Sequence, residues 1–199
     1  MKKLFCLMTA LILLAGFGCA QASQPADLLT DSVLEGKLVV EGVFYQMPIP
    51  VQQLAENGWS CDCADRVIDP QVRISAIFTK GNVAFGAWII NEYPEAKPAG
   101  ECHVAVMSFG PEALEKGYDL IDVKFSKQID INTSKKDLEK ILGEPSSTAG
   151  GYPVWRGNNA KYLSPSVSFA GVYETSLFSS KLKYFQIEYM PADFSVEAE

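Results

Sequence analysis

Residues 72–91 hold two stretches of alternating apolar and polar side chains around one turn, and no other feature restricts the fold of this chain as strongly. Val72, Ile74, Ala76 and Phe78 fall on one side, and Arg73, Ser75 and Thr79 on the other. Lys80-Gly81-Asn82 is a tight-turn signal, after which residues 83–91 return. A period of two over both arms predicts an antiparallel hairpin with one greasy face. A lone hairpin is marginal in water, so further strands and an apolar layer must cover that face. Beyond a polar loop at 94–100, residues 102–109 are expected to supply a third strand.

Two short helices are available for the covering layer. Val51, Leu54 and Ala55 sit at i, i+3 and i+4, with Pro50 placed to open a helix and Gly58 to close it. The stronger helix is predicted at 132–143. Ser134 and Asp137 resemble a capping box with Thr133 as a rival cap, and Leu138, Ile141 and Leu142 form the apolar stripe. Gly143 then stops the helix and Pro145 prevents its continuation. Strand character recurs at 37–45, 120–125 (Ile121, Val123 and Phe125 inward), 152–156, 161–170 and 181–190 (Phe185, Ile187 and Tyr189 to one side), with a short helical turn at 111–116. The order of elements therefore repeats. The expected class is α+β, two tandem β-α-β-β-β units over 37–117 and 118–192, each an antiparallel sheet with one short helix packed on it. Helices this few leave one sheet face wet.

The ends are expected to lie outside the fold. Lys2 and Lys3 precede an apolar run from Leu4 to Phe17, too short to span a bilayer, and Ala20-Gln21-Ala22 offers small residues for cleavage before Ser23. We therefore assign 1–22 as a signal peptide, 23–36 as a tether and 193–199 as a tail. The protein is expected to be secreted or associated with the cell envelope, with no transmembrane segment after processing. The alternative is a lipid anchor on Cys19, although Gly16 and Phe17 fit a lipobox poorly. With 17 basic against 24 acidic residues, a net charge of −7 and no basic cluster, the chain is no nucleic-acid binder.

Export leaves Cys61, Cys63 and Cys102, an odd number in a compartment where disulfides persist. Two residues apart in extended chain, Cys61 and Cys63 have Cα atoms about 6.6 Å apart, which strains a direct bond. A bridge from either of them to Cys102 is the expectation. With His103 these cysteines make a Cys₃His ligand set on paper. Cys102 and His103 point to opposite faces of one strand, however, and one residue between paired cysteines is too few for structural zinc. No metal or cofactor is expected.

Catalytic groupings are equally sparse. His103 is the single histidine and has no nucleophile motif beside it. Asp62 and Asp65, Glu112 and Glu115, and Asp119 and Asp122 are spaced as carboxylate pairs, but this many acids generate such pairs by chance. Gly150-Gly151 follows a helix instead of preceding one, and so makes a turn. The informative candidate is the wet face. If Val83, Phe85, Ala87 and Ile89 face the helices, Trp88 and Ile90 face away. Val104 and Val106 inward would leave His103, Ala105 and Met107 outward, and in the last strand Leu182, Tyr184 and Gln186 would face out. Trp88, His103, Met107 and Tyr184 are thus the candidate partner surface, unless they meet the other half of the chain at an internal interface, which is the preferred expectation, while Trp59 and Trp155 are expected in the core.

The capped polar helix running into Ile-Leu-Gly-Glu-Pro at 141–145, ahead of an antiparallel sheet, resembles the "lGkPs" signature of SmpA/OmlA-type (BamE-like) modules. Two such modules behind an export signal resemble β-lactamase-inhibitory-protein-like secreted bacterial proteins and lipoproteins. Met47-Pro48 before a helix ending in Gly58-Trp59, and Glu101-Cys102-His103-Val104, are similar to stretches of small secreted bacterial proteins. The resemblance covers about 37–190 and is specific around 133–146. It implies a noncatalytic role, as an envelope-assembly scaffold or as a surface that grips another protein, and it transfers no residue-level function. The partner expected for the open sheet face is another protein or a cell-envelope component. A carboxylate-based secreted hydrolase and a small-ligand carrier are the alternatives from other classes.

Overall fold

The structure, a computed structural model, describes residues 24–110, 116–148, 153–156, 166–175 and 180–191. The expected signal peptide with Cys19, most of the 111–116 turn, residues 161–165 and the tail lie outside the described residues. In chain order the elements are β1 (Lys37–Val40), β2 (Val43–Gln46), β3 (Ile49–Pro50), α1 (Val51–Glu56), β4 (Ser60–Cys61), β5 (Val67–Ile68), β6 (Arg73–Lys80), β7 (Val83–Ile90), β8 (Lys97–Pro98) and β9 (His103–Phe109). They continue with β10 (Val123–Lys124), α2 (Lys135–Leu142), β11 (Val154–Arg156), β12 (Ser166–Thr175) and β13 (Ser180–Met190).

This is a sheet-rich α+β fold of mostly antiparallel strands. The hairpin forms as its alternation dictates: β6 pairs with β7 from Arg73 opposite Ile90 to Lys80 opposite Val83, closing on Gly81-Asn82 with Gly81 at φ +56°. Around it grows one large sheet in the order β11-β12-β13-β9-β7-β6-β4, with β3 also on β9. The sheet joins strands from both sides of the expected boundary at 117/118, because β13 pairs with β9, Phe185 opposite Phe109. A second, three-stranded sheet has the order β10-β1-β2. Where one strand was expected over 37–45, Glu41 and Gly42 take φ of +47° and +74° and fold the segment into the β1–β2 hairpin. Positive φ at both central residues is what a tight two-residue hairpin requires.

One face of the large sheet is the core. Ile74, Ala76 and Phe78 from β6, Phe85, Ala87 and Ile89 from β7, Phe109 from β9 and Phe185 and Ile187 from β13 are all buried. Leu38, Val40 and Tyr45 of the small sheet, with Leu54 of α1 and Leu138 of α2, join the same cluster. Aromatic rings cross it in a chain: Trp59 to Phe85 at 4.8 Å, Phe85 to Phe109 at 5.4 Å, Phe109 to Phe125 at 5.5 Å and Phe125 to Phe169 at 5.0 Å. Trp59 and Trp155 are buried, as their expected core role requires, and the Trp155 indole donates to the Gly143 carbonyl at 3.1 Å.

Local chemistry closes the ends. Ser134 Oγ accepts from the Asp137 amide at 3.1 Å and donates to its carboxylate at 2.6 Å, while Gly143 leaves the helix at φ +74°. Beyond β7, Asn91 is fully buried yet satisfied. Its Nδ2 donates to the Ile68 and Glu95 carbonyls, both at 2.8 Å, and its Oδ1 accepts from the Tyr93 amide at 2.9 Å. Asn91→Ala strips three backbone groups of their partner, and a loss of about 2 kcal/mol in unfolding free energy is expected by urea titration. A change below 0.5 kcal/mol would show that water replaces the amide without cost.

Candidate functional site: the outer face of the large sheet

Turned away from the core, the outer face is set by the same alternation. Ile77 lies opposite Gly86, Gly86 opposite Ser108, and Ser108 opposite Gln186. Two adjacent small residues open a hole in this row, and a Cβ built on Gly86 meets no atom within 4 Å. The result is a depression of about 330 Å³ with Gly86 and Ser108 in its lining beside Ile77, Tyr118, Tyr184 and Lys116. The segment carrying Lys116 and Tyr118 is tied to the hairpin turn. The Asp119 amide donates to the Asn82 carbonyl at 2.7 Å, and Asn82 Nδ2 donates to the Asp119 carboxylate at 2.8 Å. Ile77 and Trp88 retain 39% and 45% of their surface in water, unlike the core aromatics behind them. Arg73 lies 6.0 Å over the Trp88 ring and pairs with Glu188 at 3.2 Å, which fixes a charged rim beside the exposed indole.

Two of the four expected surface residues belong here, since Trp88 borders this face and Tyr184 lines the depression. His103 is half-buried four positions along β7 from Gly86, opposite Ile90, with Tyr93 stacked on it at 6.0 Å and Glu92 Oε2 3.4 Å from Nδ1. Met107 is a correction. It is fully buried opposite Ala87, on the core side. Trp88 pairs with Val106 while Ile89 pairs with Val104, so Ala105 is an extra residue in β9. A bulge of one residue reverses the facing of everything after it, which sends Val106 outward and Met107 in.

The cysteines also differ from expectation, and all three are free thiols. Cys102 is buried behind the Ala99–Glu101 turn, donating to the Pro98 carbonyl at 3.4 Å. Cys61 is held opposite Phe78 by β4, with its Sγ 3.7 Å from that of Cys63. The expected bridge to Cys102 is not formed, because the short β4–β6 ladder turns Cys61 toward its near neighbour. Burial pushes the Cys63 thiol up to about 12, with the Cys61 thiol adding to the shift, and burial raises Cys102 as well.

Carboxylates do not converge on the depression. Among the described residues its lining holds none, and Asp62 and Asp119 each satisfy a neighbour, the Ile77 amide at 2.9 Å and Asn82; Glu112 and Glu115 lie outside the described residues. The depression itself escaped the sequence reading. Its signal was a glycine inside an otherwise regular strand, which marks a bulge or a close approach. No family model, curated protein or solved structure matches this chain. Function must therefore be argued from the face itself.

Proposed function

We propose that this is an exported, nonenzymatic binding module that grips another protein through the outer face of its large sheet. The observation that carries the reading is the depression over Gly86 and Ser108, walled by Ile77 and Tyr184 and bordered by a half-exposed Trp88. At about 330 Å³ and open on one side, it has room for a protruding apolar side chain of a partner. The Arg73–Glu188 pair supplies a polar rim of the kind that surrounds interface anchors. The expected signal peptide would deliver the module to the envelope or the medium.

The tandem arrangement is part of the same proposal. The sheet order β11-β12-β13-β9-β7-β6 has the same sequence of elements on either side of the β9–β13 pair, and β1 pairs with β10, the first strands of the two expected units. Two β-α-β-β-β units joined last strand to last strand would produce that order. They would also place one continuous wet face at the disposal of a partner.

Filling the hole tests the reading. Gly86→Leu projects into open space, so the fold is expected to keep its stability within about 1 kcal/mol, while the depression disappears. A photo-crosslinking residue at Trp88 is expected to yield discrete protein adducts in envelope extract, and these should vanish when Gly86→Leu is added. Trp88→Ala should weaken capture of the adduct partner at least thirtyfold, about 2 kcal/mol. Adducts that form equally from a probe at exposed Leu28, or only with lipid or glycan, would sink the protein-binding proposal.

A further inference from the structure

We propose that Cys61, Asp62 and Cys63 form a binding site for a thiophilic divalent cation of the zinc class. The two Sγ atoms are 3.7 Å apart, and these sulfurs and a carboxylate oxygen of Asp62 all lie within 4.8 Å of one another. In a tetrahedral zinc site with Zn–S bonds of about 2.3 Å, two thiolates sit about 3.8 Å apart. A linear two-coordinate ion at the same bond length needs about 4.6 Å. The observed pair meets the tetrahedral spacing without movement.

The loop that presents these groups is held at both ends. The Asp62 amide donates to the Ile77 carbonyl at 3.1 Å, and the Ile77 amide returns a bond to Asp62 Oδ1 at 2.9 Å. Arg66 N–H donates to the Cys63 carbonyl at 3.0 Å, and Gly100 N–H to Ala64 at 2.8 Å. That bond to Ile77 leaves the second Asp62 oxygen to the ion. Cys61 and Cys63 are half-buried and Asp62 is exposed, so solvent water reaches the fourth position. On binding, each thiol releases its proton to water and donates a thiolate lone pair to the ion, and no electron is transferred. The set differs from the Cys₃His combination weighed on sequence, because Cys102 donates to the Pro98 carbonyl and His103 opens β9 beside Glu92. The one-residue spacing that counted against zinc there is met here by the observed sulfur separation of 3.7 Å.

Cobalt(II) is the probe, titrated under a phosphine reductant into the full chain carrying Cys6→Ser and Cys19→Ser. One ion per chain is expected, with the intense visible bands of tetrahedral cobalt and a thiolate-to-cobalt band in the near ultraviolet, both bleached by added zinc. Cys61→Ser and Cys63→Ser should each abolish the thiolate spectrum, and Cys102→Ser should leave it unchanged. Asp62→Asn, which keeps both cysteines and an oxygen for the Ile77 amide, should weaken binding about tenfold. Circular dichroism verifies that each variant is folded. A pale octahedral spectrum, a spectrum insensitive to Cys61→Ser or Asp62→Asn, or one lost in Cys102→Ser overturns the site. So does peptide mapping of protein purified without reductant that finds Cys61 and Cys63 bonded to each other.

Discussion

Phe125→Ala is expected to lower the unfolding free energy by about 4 kcal/mol. Phe125 is fully buried just beyond β10, with ring centroids of Phe109, Phe169 and Phe185 at 5.5, 5.0 and 5.5 Å. It touches rings on β9, β12 and β13 together, and with Tyr45, Leu38 and Val40 it carries the small sheet into the core of the large one. Each aromatic pair adds about 0.5–1.5 kcal/mol beyond the buried area. The neighbours cannot close the cavity, because three of the surrounding rings stand on ladder-bonded strands and the Phe125 amide is itself held by the Ile129 carbonyl at 2.8 Å. Urea denaturation measures the loss, with Leu120→Ala as a control at a position 46% exposed. A loss under 2 kcal/mol, or one matched by the control, would mean that Phe125 does not join the two layers.

Gly110→Ala should cost about 3 kcal/mol, while Gly86→Ala, on the same outer face, should cost nothing. A Cβ on Gly110 would collide with the Lys183 carbonyl and come within 2.8 and 2.9 Å of Tyr184 Cβ and Cα. Those obstacles are mostly backbone of the neighbouring strand, so nothing can swing aside, and β9 and β13 must separate where the largest sheet is joined. At Gly86 the same methyl meets open space, and the reduced freedom of the unfolded chain favours alanine. Thermal unfolding of the two variants side by side distinguishes them. Equal midpoints would show that the sheet relaxes around Gly110. Because Gly110 also lines the depression, its substitution should impair partner capture even in whatever fraction remains folded.

How much of this was legible in the sequence depends on whether the signal was local. The β6–β7 arms, the Ser134 cap and the inward Phe185 and Ile187 were readable, because alternation and capping are decided by residues a few positions apart. The Glu41-Gly42 turn was not, since glutamate is a poor advertisement for positive φ and what holds it there is distant in sequence: the pairing of β1 with β2 and β10, and the Asp122 backbone, whose carbonyl accepts from the Glu41 amide at 2.9 Å and whose amide donates to the Glu41 carboxylate at 2.7 Å. The bulge at Ala105 was invisible for a similar reason. Val104 to Met107 is apolar at every residue, so no alternation marks which way Val106 and Met107 face, and the partners on β7 and β13 decide it. Of the site, Trp88 and Tyr184 could be placed from alternation alone. The hole between them could not, because it needs Gly86 and Ser108 brought side by side from separate strands.

Among the described residues the strand latest in the chain, β13, is not last in space: it lies between β12 and β9, in the interior of the sheet. During vectorial emergence from a ribosome or a translocation pore, β9 would wait with a bare hydrogen-bonding edge until residues 180–190 arrived. Truncation ahead of that point would strand two half-sheets, each offering a ready template for aggregation. The native sheet is therefore whole only once the β12–β13 hairpin has docked on the edge of β9.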